Sequence, residues 1–450
     1  MLLNRWRAFG AAVLLACAAA RPARAQDAPT AEPAEPAEKV YAFHFQATSV
    51  TQAHPSFSAL YTGQNSLLPE SEHETTVTTT LFAGARLWKG GELYVNPELT
   101  GGSGLSKTFG VAGFPNGEAF RVGSPEPHVF LARVMLRQTF ALGAETETVE
   151  DDQNQLGGRR PVRRFSILVG KYSVTDFFDD NAYSHDPRTQ FLNWSIWTAG
   201  AWDYPADTRG YTWGFVMEYA DAGWAVRFAG AAEPLVANGL EFDKDLLAAH
   251  SLMAEGQKSY RLAGFDGTAR LATFYNQARM GNYREAIDQG QALGQPPDIT
   301  AVRRPRHTKW GFVLGFEQAV GPRTGLFLRG SWNDGKNEAW AYAEIERSVT
   351  SGVVQKEPIT GRKLDEAGLA FAANVLSKDH EDYLAAGGYG FMIGDGRLSY
   401  GLEKIAELYY KAALLEHLFL TGDYQFVQNP AYNRDRGPVH VFGLRLHAEY

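Results

Sequence analysis

Phe442-Gly-Leu-Arg-Leu-His-Ala-Glu-Tyr450 closes the chain, and its reading decides the fold. Phe442, Leu444, Leu446, Ala448 and Tyr450 fall on one phase, with Gly443, Arg445, His447 and Glu449 on the other. Successive side chains of a strand point to opposite faces, so this segment has one apolar face and one charged face. A sheet built of such strands fits a barrel in a membrane, with lipid outside and water inside.

Outward from this segment, the same period-two pattern marks about sixteen stretches. They are 40–53, 75–88, 92–100, 128–142, 164–174, 209–220, 223–232, 249–263, 267–280, 308–319, 325–333, 338–349, 366–376, 400–412, 416–427 and 438–450. Close pairs are joined by hairpin signals: Lys89-Gly90-Gly91, Asp221-Ala222-Gly223, Asp266-Gly267, Gly321-Pro322-Arg323 and the residues around Glu416. Long connections alternate with these short ones, as in barrels whose short turns face the periplasm. The expected fold is therefore all-β: a transmembrane antiparallel β-barrel of about sixteen strands, with one or more loops folded into the lumen. Leu246, Leu247 and His250 show helix-like spacing within 240–256, and 379–386 fits a short helix.

Composition agrees. The 450 residues are 44% hydrophobic, contain 46 Gly and 13% aromatics, and carry a net charge of −8. No apolar run is long enough for a membrane-spanning helix. The acidic balance argues against a nucleic-acid partner. Arg5 and Arg7, an apolar core over 9–20 and Ala23-Arg24-Ala25 read as an export signal over residues 1–25. Leu14-Leu15-Ala16-Cys17 also resembles a lipoprotein box. Either reading places the protein outside the cytoplasm. Residues 26–38, rich in Ala, Pro and Glu, read as a disordered leader before a barrel over 39–450.

A charge on the lipid face at mid-bilayer costs about 2–4 kcal/mol, so the charged phase faces inward. That phase holds Arg86, Arg133, Arg137, Lys171, Arg227, Lys309, Arg329, Lys411 and Arg445 against Glu92, Glu98, Glu218, Glu317, Glu344, Glu407, Asp423 and Glu449. A strongly ion-selective pore would show a ring of one sign; near balance favours neutral polar solutes. Trp88, Tyr94, Trp340, Tyr342 and Tyr409 share the inward phase and offer planes to the CH-lined faces of sugars. The same residues would also serve a lumen that is simply filled and held in shape by ion pairs. The Trp- and Asp-rich block 186–214 is long enough to fold inward. Arg188, Asn193, Trp194, Asp203, Asp207 and Arg209 then form an eyelet or anchor the loop to the wall.

Several stretches resemble the carbohydrate-selective porin family of Gram-negative outer membranes, the OprB type. They are Leu81 to Glu98, Gly110 to Ala119, Asp186 to Trp194, Asp203 to Gly214, and Asp423-Tyr-Gln425 with Asn429 to Asn433. The resemblance spans about 40–450. It implies a sixteen-stranded outer-membrane barrel that admits glucose or similar neutral sugars by diffusion. Barrels of this kind usually end in Phe; Tyr450 keeps an aromatic there, so the barrel-assembly machinery is expected to accept the last strand.

Other constellations point nowhere further. Asp176, Asp179, Asp180, Asn181 and Asp186 make an oxygen-rich loop without EF-hand spacing; calcium binding and Asx turns are both open to it. Asp379, His380, Glu381 and Asp382 do not converge on one centre. No Gly-x-Ser-x-Gly elbow is present. Neither cofactor nor metal is expected. A passive sugar channel in outer-membrane lipid is the leading expectation, ahead of a plugged or adhesive structural barrel and a barrel enzyme.

Overall fold

The computed structural model describes residues 38–120 and 125–450. The expected export signal, Cys17 and all of the leader but Glu38 lie outside the described residues.

The strands in chain order are β1 (Tyr41–His54), β2 (Glu72–Trp88), β3 (Gly91–Gly102), β4 (His128–Ala141), β5 (Thr146–Val149), β6 (Gly158–Pro161), β7 (Arg164–Tyr172), β8 (Thr212–Asp221), β9 (Trp224–Ala232), β10 (His250–Leu262), β11 (Phe265–Ala278), β12 (His307–Ala319), β13 (Thr324–Asn333), β14 (Arg347–Lys356), β15 (Glu366–Val375), β16 (Glu403–Leu415), β17 (Leu418–Gln428) and β18 (Val439–Glu449). All but β5 and β6 form one closed barrel of sixteen antiparallel strands, and β5 and β6 pair only with each other. The seam joins the first and last strands. β1 pairs β18 from Gln46 opposite Glu449 to Ala53 opposite Phe442. One step further, Phe45 and Tyr450 exchange both backbone hydrogen bonds at 2.8 Å.

The alternation holds as expected. Trp310, Phe312, Leu314 and Phe316 are exposed on the outer face of β12, while Lys309 is fully buried inside. Phe442 and Leu444 are exposed outside; Arg445 is buried inside. No described helix is long and apolar enough to cross a membrane, which says nothing against crossing by strands.

Two expected elements shift. The strand expected over 338–349 lies at β14, Arg347–Lys356. Residues 338–346 alternate like a strand, but the Trp340, Ala341 and Tyr342 amides donate to the Asp203 carboxylate instead of a neighbouring strand. Trp340, Tyr342 and Glu344 are therefore loop residues. The hairpin expected at Asp266-Gly267 turns at Ala263-Gly264, where both φ angles are positive (53° and 85°), the geometry of a two-residue type I′ turn. Residues 240–249 form no helix, whereas Lys378–Ala385 does, as does Tyr283–Leu293.

Both described ends of the chain sit at the same rim as the shortest turns, 89–90, 222–223, 263–264 and 416–417. The long loops leave the opposite rim. The longest of these, 173–211, folds into the lumen, and residues 191–208 are all buried.

Candidate functional site

The inner wall from β11 round to β18 is occupied by loop 173–211. Its carboxylates and guanidinium groups meet the backbone of that loop. Glu407 on β16 accepts from the Leu192 and Asn193 amides at 2.5 and 3.1 Å. Arg329 on β13 binds Asp179 at 2.7 Å and the Ile196 carbonyl at 2.9 Å. Arg445 on β18 donates to the carbonyls of Pro187 and Gln190 at 2.8 and 2.6 Å. Burying these charges is tolerable because each has hydrogen-bonding partners. Asn193 caps the short helix Trp194–Trp197 and donates to Gly113 and Gln425. The Trp194 indole donates to the Asn116 carbonyl at 2.8 Å and stacks on Tyr342.

The opposite half, along β2–β4 and β7–β10, stays open as a cavity of about 1310 Å³. Arg86, Glu92, Tyr94, Glu98, Arg133, Arg137, Arg188, Arg209 and Arg227 all line it. Most of its charges are paired with one another. Arg188, from the inserted loop, reaches Glu98 at 3.1 Å and Glu118 at 3.0 Å. Burial disfavours its charge, but the two carboxylates outweigh burial and raise its pKa well above the ordinary value. Tyr211 donates to both oxygens of Glu98 at 3.0 and 3.1 Å. Arg133 grips Asp176 with two bonds at 2.7 and 2.6 Å and lies 5.1 Å over the Tyr211 ring. Arg227 bridges Glu218 and Glu255, each at 2.8 Å. Arg209 stacks on Phe130 at 4.2 Å. Arg86 and Arg137 flank Glu92, which accepts from the Tyr94 hydroxyl at 2.8 Å.

A bulge sets part of this geometry. Pro97 has no N–H to give, and pairing slips between Asn96–Arg133 and Pro97–Leu131, leaving Ala132 over. Phe130 and Arg133, three residues apart, are thereby both directed inward.

The remaining expected site residues do not line the cavity. Asn193, Trp194, Asp203, Asp207 and Glu407 bond the inserted loop to the wall and to neighbouring loops, whereas Arg188 and Arg209 face the cavity. Asp207 accepts from the Arg209 and Tyr211 amides. Lys411 faces Glu366 at 3.6 Å. Trp88 follows a register shift at the end of β2, is half exposed, and donates to Gln138 at 2.7 Å. Lys171 falls on the phase opposite Arg164, Ser166 and Leu168 and pairs with Val134 and Trp213. Its ammonium nevertheless reaches the Leu131 carbonyl at 3.0 Å, Asp207 at 3.8 Å and the Phe130 ring at 5.6 Å. Glu118, Asp176 and Tyr211 also line the cavity and were not among the expected lining residues. Glu118 and Tyr211 lie within or beside stretches that carried the family resemblance, yet only the folded loops bring them to Glu98 and Arg188.

Three carboxylates of the oxygen-rich loop are engaged by protein partners, Asp176 by Arg133, Asp179 by Arg329, Thr198 and the Ala199 amide, and Asp186 by Thr189, while Asp180 lines the cavity. Among the described residues no group of three His, Cys, Asp or Glu side chains is placed to hold a metal ion.

The sequence profile described as "Carbohydrate-selective porin, OprB family" matches residues 64–450. The chain belongs to this family. It is an outer-membrane porin of the carbohydrate-selective class, and the closed sixteen-stranded barrel agrees with this. Among solved structures it is similar to the high-pH structure of Pseudomonas putida OprB, with TM-score 0.69 and 15% identity over 91% of this chain and 94% of that one. The low-pH structure of the same protein gives TM-score 0.50 and 13% identity, over 91% and 93%. At such identity these likenesses concern the fold. No curated protein sequence matches the chain.

Proposed function

We propose that neutral sugars cross this porin by passive diffusion through the open half of the lumen, and that the passage narrows where Arg188, Arg133 and Arg209 face Glu98, Glu118 and Tyr211. One observation carries this reading: most of these cavity charges are paired with one another, at 2.6–3.1 Å. A wall of paired charges offers dense donors and acceptors without a strong net field. Hydroxyl groups can exchange hydrogen bonds along it, while the rings of Tyr94 and Tyr211 supply apolar planes. Binding stays weak enough for release because no interaction is shared with a charged solute.

The carboxylates of the cavity face guanidinium groups, the Tyr211 phenol and the Thr80 hydroxyl; with their charge taken up in this way, we read a conduit rather than an enzyme. We also expect the barrel-assembly machinery to take up the last strand through its outward aromatic, Tyr450.

The packing of 191–208 across half the lumen supports a second reading, a plugged barrel. Liposome swelling separates the two. Vesicles holding the purified protein should swell in glucose and in a neutral disaccharide. No swelling with either sugar overturns the channel reading.

A further inference from the structure

Most turns at the short-turn rim have two residues, but β4 and β7 are joined by 142–163, a much longer stretch. Short turns face the periplasm in such barrels, so this extra chain belongs to the exit side. It does not hang free. The hairpin β5–β6 folds back under the barrel mouth and lines the same cavity as Arg188, from the other end.

Its tip is seated on the wall. Asn154 accepts from the buried Asn96 at 2.9 Å, and Gln153 donates to the buried Gln46 at 3.2 Å. Leu156 is 3% exposed and packs against Tyr94, where Gly84 leaves room: a Cβ there would lie 3.0 Å from the Tyr94 ring and 3.5 Å from Leu156. The strand base is tied as well, through Arg160–Glu147 at 2.8 Å and Arg164 between Glu147 and Glu218 at 3.3 Å. The start of the described chain clasps it from below. The Lys39 amide donates to Gly157 at 3.1 Å, and the Lys39 ammonium meets Asp151 at 2.7 Å. Arg86 meets Glu38 at 3.0 Å.

We propose that hairpin 146–161 is a periplasmic sill: a second narrowing that every solute leaving the cavity must pass, and a determinant of the size limit for sugars. The inserted long loop bounds the chamber from above and the sill bounds it from below. Glu147, Asp152, Arg159 and Arg160 line this exit, so the sill offers both signs to a neutral polyol and favours no ion. Seated by a buried leucine and two amide pairs, the hairpin stays docked while solutes pass.

This inference rests on the channel reading, and its test keeps the two apart. Residues 143–162 are replaced by Asn-Gly, the pair that two-residue hairpin turns favour. Folding is checked by heat-modifiable gel mobility. In planar bilayers the variant should at least double the single-channel conductance, and in liposomes it should admit neutral oligosaccharides that the parent excludes. If the shortened barrel does not fold, the double substitution Asn154→Ala with Leu156→Asp undocks the tip and serves the same readout. A folded variant with parental conductance and parental size limit overturns the sill. A parent protein that passes neither salt nor sugar overturns the channel reading instead.

Discussion

The guanidinium of Arg188 spans from the inserted loop to the barrel wall, its Nη2 3.1 Å from Glu98 Oε2 while its Nε lies 3.0 Å from Glu118 Oε1. One side chain thus ties a long loop, a second loop and strand β3 at the edge of the cavity. Arg188→Ala should leave the barrel closed but widen the passage. Liposome swelling with neutral sugars of rising size should show a higher size cut-off. Arg188→Lys should restore the charge without the fork of donors, and fall between the two. A cut-off unchanged by both substitutions removes Arg188 from the narrowing.

Asp186 supplies an acid-sensitive element beside it. Burial raises its pKa, but the Arg188 guanidinium and amide outweigh burial and hold it below the usual carboxylate range. The unfolded loop therefore binds the proton more readily than the folded one. The stabilisation is present above about pH 4, the ordinary value, and is lost as pH falls through the lower folded value. Conductance noise should rise in that acid window, and Asp186→Asn should make the noise independent of pH there. Equal acid sensitivity in parent and variant would count against this assignment.

Asp203 accepts three successive amides, from Trp340, Ala341 and Tyr342, at 2.8, 2.8 and 3.1 Å. Asp203→Ala strands these buried donors and should destabilise the loop assembly by about 3–5 kcal/mol, as for breaking a buried charged network. The expected signature is a lower melting temperature with an unchanged sugar preference. A changed preference with an unchanged melting temperature would return Asp203 to the solute path.

Leu444 is more than half exposed on the outer face of β18. Leu444→Arg places a charge in the lipid belt and should cost about 2–4 kcal/mol near mid-bilayer. Denaturant titration of the barrel in lipid vesicles measures it. A loss below about 0.5 kcal/mol, the usual size of a surface effect, would mean that this face does not meet lipid.

The barrel was legible because period two is a local signal: in β3, β12 and β18 the outward and inward residues could be named from the chain alone. Where local periodicity and tertiary role part company, the reading failed. Residues 338–346 alternate perfectly well, yet Asp203 takes their amides. Lys171 follows Gly170, whose φ of +137° interrupts the regular alternation, and its ammonium still reaches Asp207. Pro97 and the spare Ala132 did the reverse and brought Phe130 and Arg133 to one side. The candidate site was legible as chemistry and only partly as place. Charges inside a wide barrel either face water or face an inserted loop, and this choice depends on contacts between residues hundreds of positions apart, such as Glu407 with Leu192.

The join between Phe45 and Tyr450 has a consequence for biogenesis. The cylinder cannot be sealed before β18 is made, because β1 has that strand as one of its two neighbours. Until then β1 and β17 each present a row of unpaired backbone groups, a template for pairing with another chain.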